Sequence, residues 1–469
     1  MWRTAIQAPR SLLGSPRLPV MIALVLAGAA SLQTLIYAGW RIRSVRGWEA
    51  DNIARALVGG HGFSFSGDQR WLWDQWNGSE TSYYPTAWAD PVFTFLLAGA
   101  HWVFGEHAFA AIYALDFLCI GLVLYWSWRL AERFAGPWAG AAAIVLLAAN
   151  TLLGVSVFDT INNTAFAAAA VTLGALVAVR YFERPDSQRL VQLGLYTGFM
   201  ILACPVMEFF LPLLAATLLV LHWRDSRARW QRPLALLALA LVVVSPWTLR
   251  NYLAFGEWVL VRDGGGQLAW DGTVGAASTF APETTGLQLP PPWKADGPRA
   301  AIENLLDVEE SYALHRYQVD AVRADPPPGY ESSNEAQRDK YYMAASEAFM
   351  LREPQIAAEL GVAKLEVFAM RFGKYGVIVL ALAVAGAVLL RREIRSAPLT
   401  LMAAAYCAPF AVLVPYFGRY RTPIEPVLTV LAAVVLLRLV SAYAGGVLED
   451  TTQQRHATNS ARMAAPEGG

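Results

Sequence analysis

Glu49 and Asp51 stand two residues apart in Gly47-Trp48-Glu49-Ala50-Asp51-Asn52-Ile53-Ala54-Arg55, soon after the first apolar run ends. Carboxylates held at a membrane face can take a proton from an attacking hydroxyl or bind a cation. They can equally be acidic residues in the first turn of a helix, where the macrodipole favours them. Gly59-Gly60-His61-Gly62-Phe63 then closes a short helix predicted over Asn52–Val58, its glycines permitting positive φ and a sharp turn. No strand precedes this turn and no lysine follows where a phosphate loop needs one, so it does not read as a nucleotide site. His61 alone reads more readily as structural than as catalytic. Tyr84 and Trp88 follow in Tyr84-Pro85-Thr86-Ala87-Trp88-Ala89-Asp90-Pro91, and complete a polar, aromatic patch beside apolar sequence.

Other candidates lie far along the chain. Asp159 sits between two apolar runs, where an unpaired carboxylate is costly unless it is solvated or partnered; the alternative is a helix N-cap. Glu208 falls at the tip of a short apolar hairpin, in Cys204-Pro205-Val206-Met207-Glu208. Arg250 ends a run in Pro246-Trp247-Thr248-Leu249-Arg250-Asn251, and Arg419 and Arg421 stand in Arg419-Tyr420-Arg421-Thr422-Pro423-Ile424-Glu425-Pro426. Guanidinium groups at an outer membrane face suit a phosphate, which they grip in a bidentate fork. Snorkelling to lipid headgroups is the other explanation.

These residues must be positioned by membrane helices. The chain of 469 residues is 56% hydrophobic and 16% charged, with mean hydropathy +0.36. Soluble domains carry about 25% charge. The formal net charge of zero gives no footprint for nucleic acid. Cys119, Cys204 and Cys407 lie in or beside apolar runs without metal-site spacing, and read as packing residues. The run Leu18–Ala38 follows Arg3, Arg10 and Arg17 and is too long for a cleaved signal core, so it reads as a retained signal anchor. Further runs are Ala108–Trp128, Pro137–Val157, Ile161–Phe182, Leu190–Ala203, Met207–Leu221, Pro233–Trp247, Tyr375–Leu390, Pro398–Pro415 and Pro423–Tyr443.

Arginine sets the topology. The groups Arg129/Arg133, Arg180/Arg184/Arg189, Arg224/Arg227/Arg229/Arg232 and Arg391/Arg392/Arg395 all belong in the cytoplasm by the positive-inside rule. A crossing at Pro91–Phe104 would put every one of them outside, so that run is expected to lie in the outer interface. Arg41, Arg43 and Arg46 land outside, before a long loop that translocates with less regard to charge. The expected fold is an all-α polytopic membrane protein of about ten transmembrane helices, with outer juxtamembrane helices and a large outer loop. Its expected division is residues 1–38 for the cytoplasmic N-terminus and first span, 39–107 for the first outer loop, and 108–252 for spans 2–7. Residues 253–374 make the large outer loop, 375–443 spans 8–10, and 444–469 a cytoplasmic tail. Within the large loop, Tyr341, Ala345, Ala348 and Phe349 recur at helical spacing, and Pro354 begins a new helix. No internal repeat is visible, which speaks against a transporter built of inverted repeats.

With those residues in hand, the chain resembles the membrane glycosyltransferases of the GT-C type, and among them bacterial family-39-like proteins related to protein O-mannosyltransferases and aminoarabinose transferases. The resemblance rests on Trp48-Glu49, Ala54-Arg55, Gly60-His61-Gly62-Phe63, Thr86-Ala87-Trp88-Ala89-Asp90-Pro91, Pro246–Asn251 and Arg419–Pro426, with Asp159 at a second outer acidic position. It departs from the family pattern at Cys204, where a basic residue is usual, and at Asp90. It implies inverting transfer of a sugar from a polyprenyl-phosphate donor to a glycan, lipid or protein acceptor at the outer face of a bacterial inner membrane, with both termini cytoplasmic. It further implies that Glu49 or Asp51 is the base and that Asp159 orients the acceptor or a divalent cation. Arg250, Arg419 and Arg421 would neutralise the phosphate, and His61, Tyr84, Trp88 and Glu208 would line the substrate site. No cofactor beyond that cation is implied. The rival readings are a transporter or flippase of lipid-linked sugars, for which Asp116 is the intramembrane candidate, and a catalytically degenerate membrane scaffold.

Overall fold

A computed structural model describes Val25, Gly28 and residues 49–66, 82–150, 161–285, 294–304, 333–370, 373–412 and 418–443. The described residues are overwhelmingly helical. The first helix, α1, spans Glu49–Val58, three residues earlier than its predicted start, and ends in the Gly59-Gly60 turn, where Gly60 takes φ of 81°. The segment that follows was expected to hold only loops and helices. It contains instead two short antiparallel strands, β1 (Ser64–Ser66) and β2 (Tyr83–Pro85), with Phe65 opposite Tyr84. Three-residue strands are too short for alternation to register in a sequence. Asn52 locks the hairpin to α1 from both sides, its amide donating to the Ser66 hydroxyl at 2.9 Å and its carbonyl accepting the Ser66 N–H at 3.1 Å.

Next come α2 (Pro91–Phe104), α3 (Ala108–Ala135), α4 (Pro137–Ala149), α5 (Thr164–Glu183), α6 (Ser187–Ala203), α7 (Phe210–Leu221) and α8 (Ala228–Phe255). Proline at the first helical position starts both α2 and α4, where its missing N–H costs nothing. α2 is separated from α3 by one turn at Gly105, whose φ of 56° interrupts the helix. At 1.5 Å per residue α2 is roughly 21 Å long, less than the roughly 30 Å hydrocarbon core. It exposes Phe95, Leu96, Trp102, Val103 and Phe104. The predicted Met207–Leu221 run begins with a tight turn at Pro205–Phe209, so its α-helical part starts only at Phe210.

Five described helical segments are long and apolar enough to cross a membrane: Pro91–Ala135, Thr164–Glu183, Ala228–Phe255, Gly373–Leu390 and Glu425–Tyr443. Pro137–Ala149 and Pro205–Leu221 are shorter apolar helices. The expected first span, Leu18–Ala38, and the polar loop carrying Asp159 lie outside the described residues, Val25 and Gly28 apart. Short helical pieces at Gly265–Trp270, Ala276–Phe280, Pro282–Thr285 and Pro298–Asn304 follow α8. The longer helices after them are α9 (Glu335–Arg352), α10 (Pro354–Met370), α11 (Gly373–Leu390), α12 (Ala397–Val412) and α13 (Glu425–Tyr443), α9 and α10 meeting at the predicted Pro354 boundary. α9 opens with a capping box: Asn334 Oδ1 accepts the Gln337 N–H, and Gln337 Oε1 accepts the Asn334 N–H.

In lipid, helices associate by close packing rather than by expelling water. The contact of α6 with α8 follows that rule. A Cβ on Gly198 would stand 2.6 Å from the Ala240 carbonyl oxygen, and one on Gly194 2.6 Å from Leu239 Cβ. The two glycines are four apart and form one bare stripe. At the far end of the bundle the arginine groups meet. Arg133 pairs with Glu183 at 2.6 Å, Arg395 donates to the Arg133 carbonyl at 3.0 Å, and Arg232 reaches the Pro185 carbonyl at 3.3 Å. α8 runs from this basic end to the hairpin end, where Arg250 sits.

Candidate functional site

The hairpin end is assembled by the last turns of α8. Trp247 Nε1 donates to the Val261 carbonyl at 2.7 Å, Thr248 Oγ1 to Leu260, and Asn251 Nδ2 to both Val259 and Val261. Three side chains, through four hydrogen bonds, thus hold an extended stretch antiparallel to the helix that leads into it. That stretch delivers Arg262 and Asp263. Arg250 was expected to face a phosphate. It lies inward instead, donating to the carbonyls of Thr86 at 2.7 Å and Phe63 at 2.5 Å, with its plane near the Phe63 and Trp247 rings. Its fork holds the base of the hairpin.

Arg421 is likewise enclosed. It has no exposed surface, pairs with the equally buried Glu425 at 2.8 Å, and donates to the carbonyls of Phe368, Ala369 and Gly376. It joins the end of α10 to the start of α11. The side chain of Arg419 lies outside the described residues. Arg250 and Arg421 instead donate to backbone carbonyls of segments distant in the chain, which a sequence cannot reveal.

The guanidinium at the candidate site is that of Arg262, which sequence reading passed over. It lies 5.0 Å from the Trp88 ring centroid and 3.9 Å from Asp90, with 26% of its side chain exposed. Asp90 is buried and also takes a hydrogen bond from Asn163 Nδ2, one residue before α5. Trp88 is half-buried, and Gly264 makes its placement possible. Gly264 has φ of +84°, and a Cβ there would stand 1.9 Å from the Trp88 ring. Replacing Gly264 by alanine is therefore expected to lower stability by about 1–3 kcal/mol, through overpacking and a disfavoured φ. Thermal unfolding of the purified variant reads this; an unchanged midpoint would show that the ring moves aside freely.

The two acidic candidates of α1 point apart. Two residues on a helix are about 200° apart, and four are about 40° apart. Glu49 thus shares the face of Ile53, which is fully buried in the main core beside Ala89. Asp51 shares the face of Arg55. It is buried, paired with Arg55 at 3.0 Å and with His101 Nε2 of α2 at 2.6 Å. Asp51 therefore fastens α1 to α2. His61 is exposed and stacks on Tyr83 at 3.6 Å, and Tyr84 occupies the middle of β2. Glu208 is half-buried in the turn before α7. Asp159 lies outside the described residues. Among the described residues no three His, Cys, Asp or Glu side chains are grouped to hold a metal ion.

A second set of carboxyls, also unforeseen, backs the site. Glu335 Oε1 accepts the Thr86 hydroxyl at 2.9 Å and the Ala87 N–H at 3.0 Å, and Thr86 Oγ1 accepts the Trp88 N–H at 3.1 Å. Asp263 N–H donates to the Ala87 carbonyl at 3.2 Å. Asp339 accepts the Gln267 N–H at 3.0 Å. Burial pushes the Asp339 carboxyl up to about 6, against the pull of the backbone N–H groups of Gln267, Gly266 and Gly264. Glu335 reads in the sequence as an ordinary first-turn acid. Its bonds come from a segment some 250 residues away in the chain.

Comparison with known proteins follows this geometry. Residues 86–249 match the family model described as dolichyl-phosphate-mannose-protein mannosyltransferase. The match begins at Thr86, contains Trp88, Asp90 and Asn163, and ends one residue before Arg250. No curated protein matches the chain. Among solved structures, the archaeal oligosaccharyltransferase AglB from Archaeoglobus fulgidus, in complex with an inhibitory peptide and a dolichol-phosphate, has a TM-score of 0.49 and 12% identity, over 92% of this chain and 52% of its own. ArnT from Cupriavidus metallidurans bound to undecaprenyl phosphate has a TM-score of 0.33 and 16% identity, over 92% of this chain and 79% of its own. The chain spans about half the length of the archaeal protein. The matched stretch is 164 of the chain's 469 residues (86 to 249) and includes the Thr86–Pro91 motif, one of those on which the GT-C resemblance rests.

Proposed function

We propose that this chain transfers a sugar from a polyprenyl-phosphate donor to an acceptor hydroxyl at the outer face of the membrane. The observation that carries the reading is Arg262, partly exposed and 5.0 Å from the Trp88 ring centroid beside the buried Asp90, both of which lie in the segment that matches the mannosyltransferase family. A guanidinium beside an aromatic ring gains a cation–π attraction that leaves its N–H donors for a phosphate. Arg250 and Arg421 spend theirs on backbone carbonyls, so the phosphate contact passes to Arg262.

In the reaction, the acceptor oxygen forms a bond to the anomeric carbon and gives its proton to the Glu49 carboxylate. The bond from the anomeric carbon to the phosphate oxygen breaks, and the lipid phosphate leaves with the electron pair. Arg262 offsets the charge that develops on it. Glu49 takes the base role because Asp51 is committed to Arg55 and His101. The matched family's lipid-phosphate donor and the apolar helices below the hairpin support this assignment.

The transport reading keeps one observation, Asp116, which is fully buried in α3 with both carboxyl oxygens outside any hydrogen bond among the described residues. Proteoliposomes given a polyprenyl-phosphate sugar labelled in the sugar and in the lipid separate the two. Transfer must release unsugared polyprenyl phosphate, and Arg262→Ala must slow that release; movement of intact donor across the bilayer without release would overturn the proposal.

A further inference from the structure

Residues 222–232 run from the end of α7 into the first turn of α8 and carry four arginines against one acid, Asp225. Elsewhere at this end of the bundle the arginines meet carboxylates. Arg133 meets Glu183 at 2.6 Å, Arg189 meets Asp186 at 3.1 Å, and Arg395 and Arg438 share Glu393. The α7–α8 turn is different. Asp225 Oδ1 accepts the backbone N–H groups of Arg227 and Ala228, at 3.0 and 2.9 Å. Arg232 donates to neutral acceptors, the Tyr181 hydroxyl, the Pro185 carbonyl and His222 Nε2. Arg224 and Arg227 are exposed and form no ion pair among the described residues. Arg229 lies at the centre of this uncompensated charge. Its guanidinium carbon is 5.0 Å from the Trp223 ring centroid and 5.5 Å from that of Trp230, and its Nε has no acceptor among the described residues.

The two indoles say what kind of anion this charge meets. Trp223 is 58% exposed and Trp230 51%, and each ends an apolar stripe on the outside of the bundle. Leu234 and Leu241 follow Trp230 on one face of α8, at four and eleven residues, and both are exposed. Val220 and Leu221 of α7, also exposed, lead up to Trp223. With 28 residues α8 is roughly 42 Å long, against a hydrocarbon core of roughly 30 Å. Its apolar run starts at Pro233, so Arg229 and both rings stand at the depth of the headgroups, where indoles favour the interface. A soluble anion has no use for an apolar border; a phospholipid uses both parts. We propose that the α7–α8 turn binds the phosphate of an anionic phospholipid. Arg229 grips it between the Trp223 and Trp230 rings, Arg224 and Arg227 add charge, and an acyl chain lies along Leu234 and Leu241. A guanidinium fits phosphate oxygens in a bidentate fork, and its ring contacts leave those donors free. Basic groups beside a span draw anionic headgroups in general; here the aromatic pair turns that attraction into a place for one lipid.

The site lies at the opposite end of α8 from Arg250 and is independent of the transferase reading. The full chain, purified in detergent, is titrated with phosphatidylglycerol and separately with phosphatidylcholine of the same acyl chains, and bound lipid is counted by native mass spectrometry. The wild type should hold phosphatidylglycerol in preference to phosphatidylcholine. Arg227→Gln/Arg229→Gln should weaken phosphatidylglycerol binding by about 25-fold, about fivefold for each arginine beside an anionic headgroup. Arg391→Gln/Arg392→Gln removes the same charge from the same end of the bundle and should leave that binding unchanged. Arg229→Lys keeps the charge and loses the fork, so it should fall between wild type and the double variant. Thermal midpoints show whether each variant is folded, and Arg229→Lys carries the test if the double variant is not. Equal affinity for the two lipids, unchanged binding in the Arg227/Arg229 variant, or an equal loss in the Arg391/Arg392 variant overturns the proposal. Displacement of bound lipid by inorganic phosphate as readily as by phosphatidylglycerol also overturns it, and makes the turn a soluble-anion site.

Discussion

Glu49→Gln is expected to lower sugar transfer by about 10²–10⁴-fold, the usual range for a general base, with little change in the thermal midpoint. Glutamine keeps the size and hydrogen bonding of the side chain while removing the site that takes the proton. The effect should appear in the maximal rate rather than in donor affinity, because the proton moves only in the transition state. Asp51→Asn is the contrasting variant. It weakens the tie from α1 to His101 of α2 and the pair with Arg55, so it should lower the thermal midpoint and reduce transfer by a smaller factor. If Asp51→Asn abolished transfer at a normal midpoint while Glu49→Gln left it intact, the roles would be reversed. Transfer assays in proteoliposomes, paired with thermal unfolding of each variant, distinguish these outcomes.

The second large effect is structural. Arg421→Ala leaves Glu425 buried without its partner and strips donors from three carbonyls at the junction of α10 and α11. Removing one member of a buried pair typically costs about 3–5 kcal/mol. Arg421→Lys should recover little of this, since a single ammonium cannot span a carboxylate and three carbonyls in a plane. The double variant Arg421→Met/Glu425→Gln should lie well above Arg421→Ala in stability, because no uncompensated charge remains. Unfolding midpoints in detergent check the order. A phosphate-binding Arg421 would instead show a normal midpoint and lost donor affinity.

Much of the helical scaffold was legible in sequence because long apolar runs have few alternatives. α3, α5, α8 and α11 overlap their predicted runs, and the Pro354 boundary falls where the residue type demands it. The hairpin was not legible: β1 and β2 are three residues each and hold together through Asn52 and Arg250, both outside the strands. The Pro246–Asn251 motif was visible as a motif, yet its role was not. Trp247, Thr248 and Asn251 are spent on the backbone of residues 259–261, and Arg250 on that of Phe63 and Thr86, which depends on where those segments return. Arg262, Asp263 and Glu335 were missed for the same reason. Each is an ordinary charged residue in a polar segment until a distant loop closes over it. The small-residue stripe of Gly194 and Gly198 is the signal that was present and not used.

The staple at Arg421 also has a consequence for the order in which the molecule is made. Synthesis runs from the N-terminus, and domains tend to settle as they emerge. The carbonyls of Phe368, Ala369 and Gly376 are in place long before residue 421 leaves the ribosome. Until then the α10–α11 junction must be served by water or by the insertion machinery. A chain truncated before Arg421 would therefore leave the carbonyls of Phe368, Ala369 and Gly376 without that guanidinium. The emergence of Arg421, just ahead of α13, is the step that closes the junction, and Glu425 in the first turn of α13 then completes its pairing.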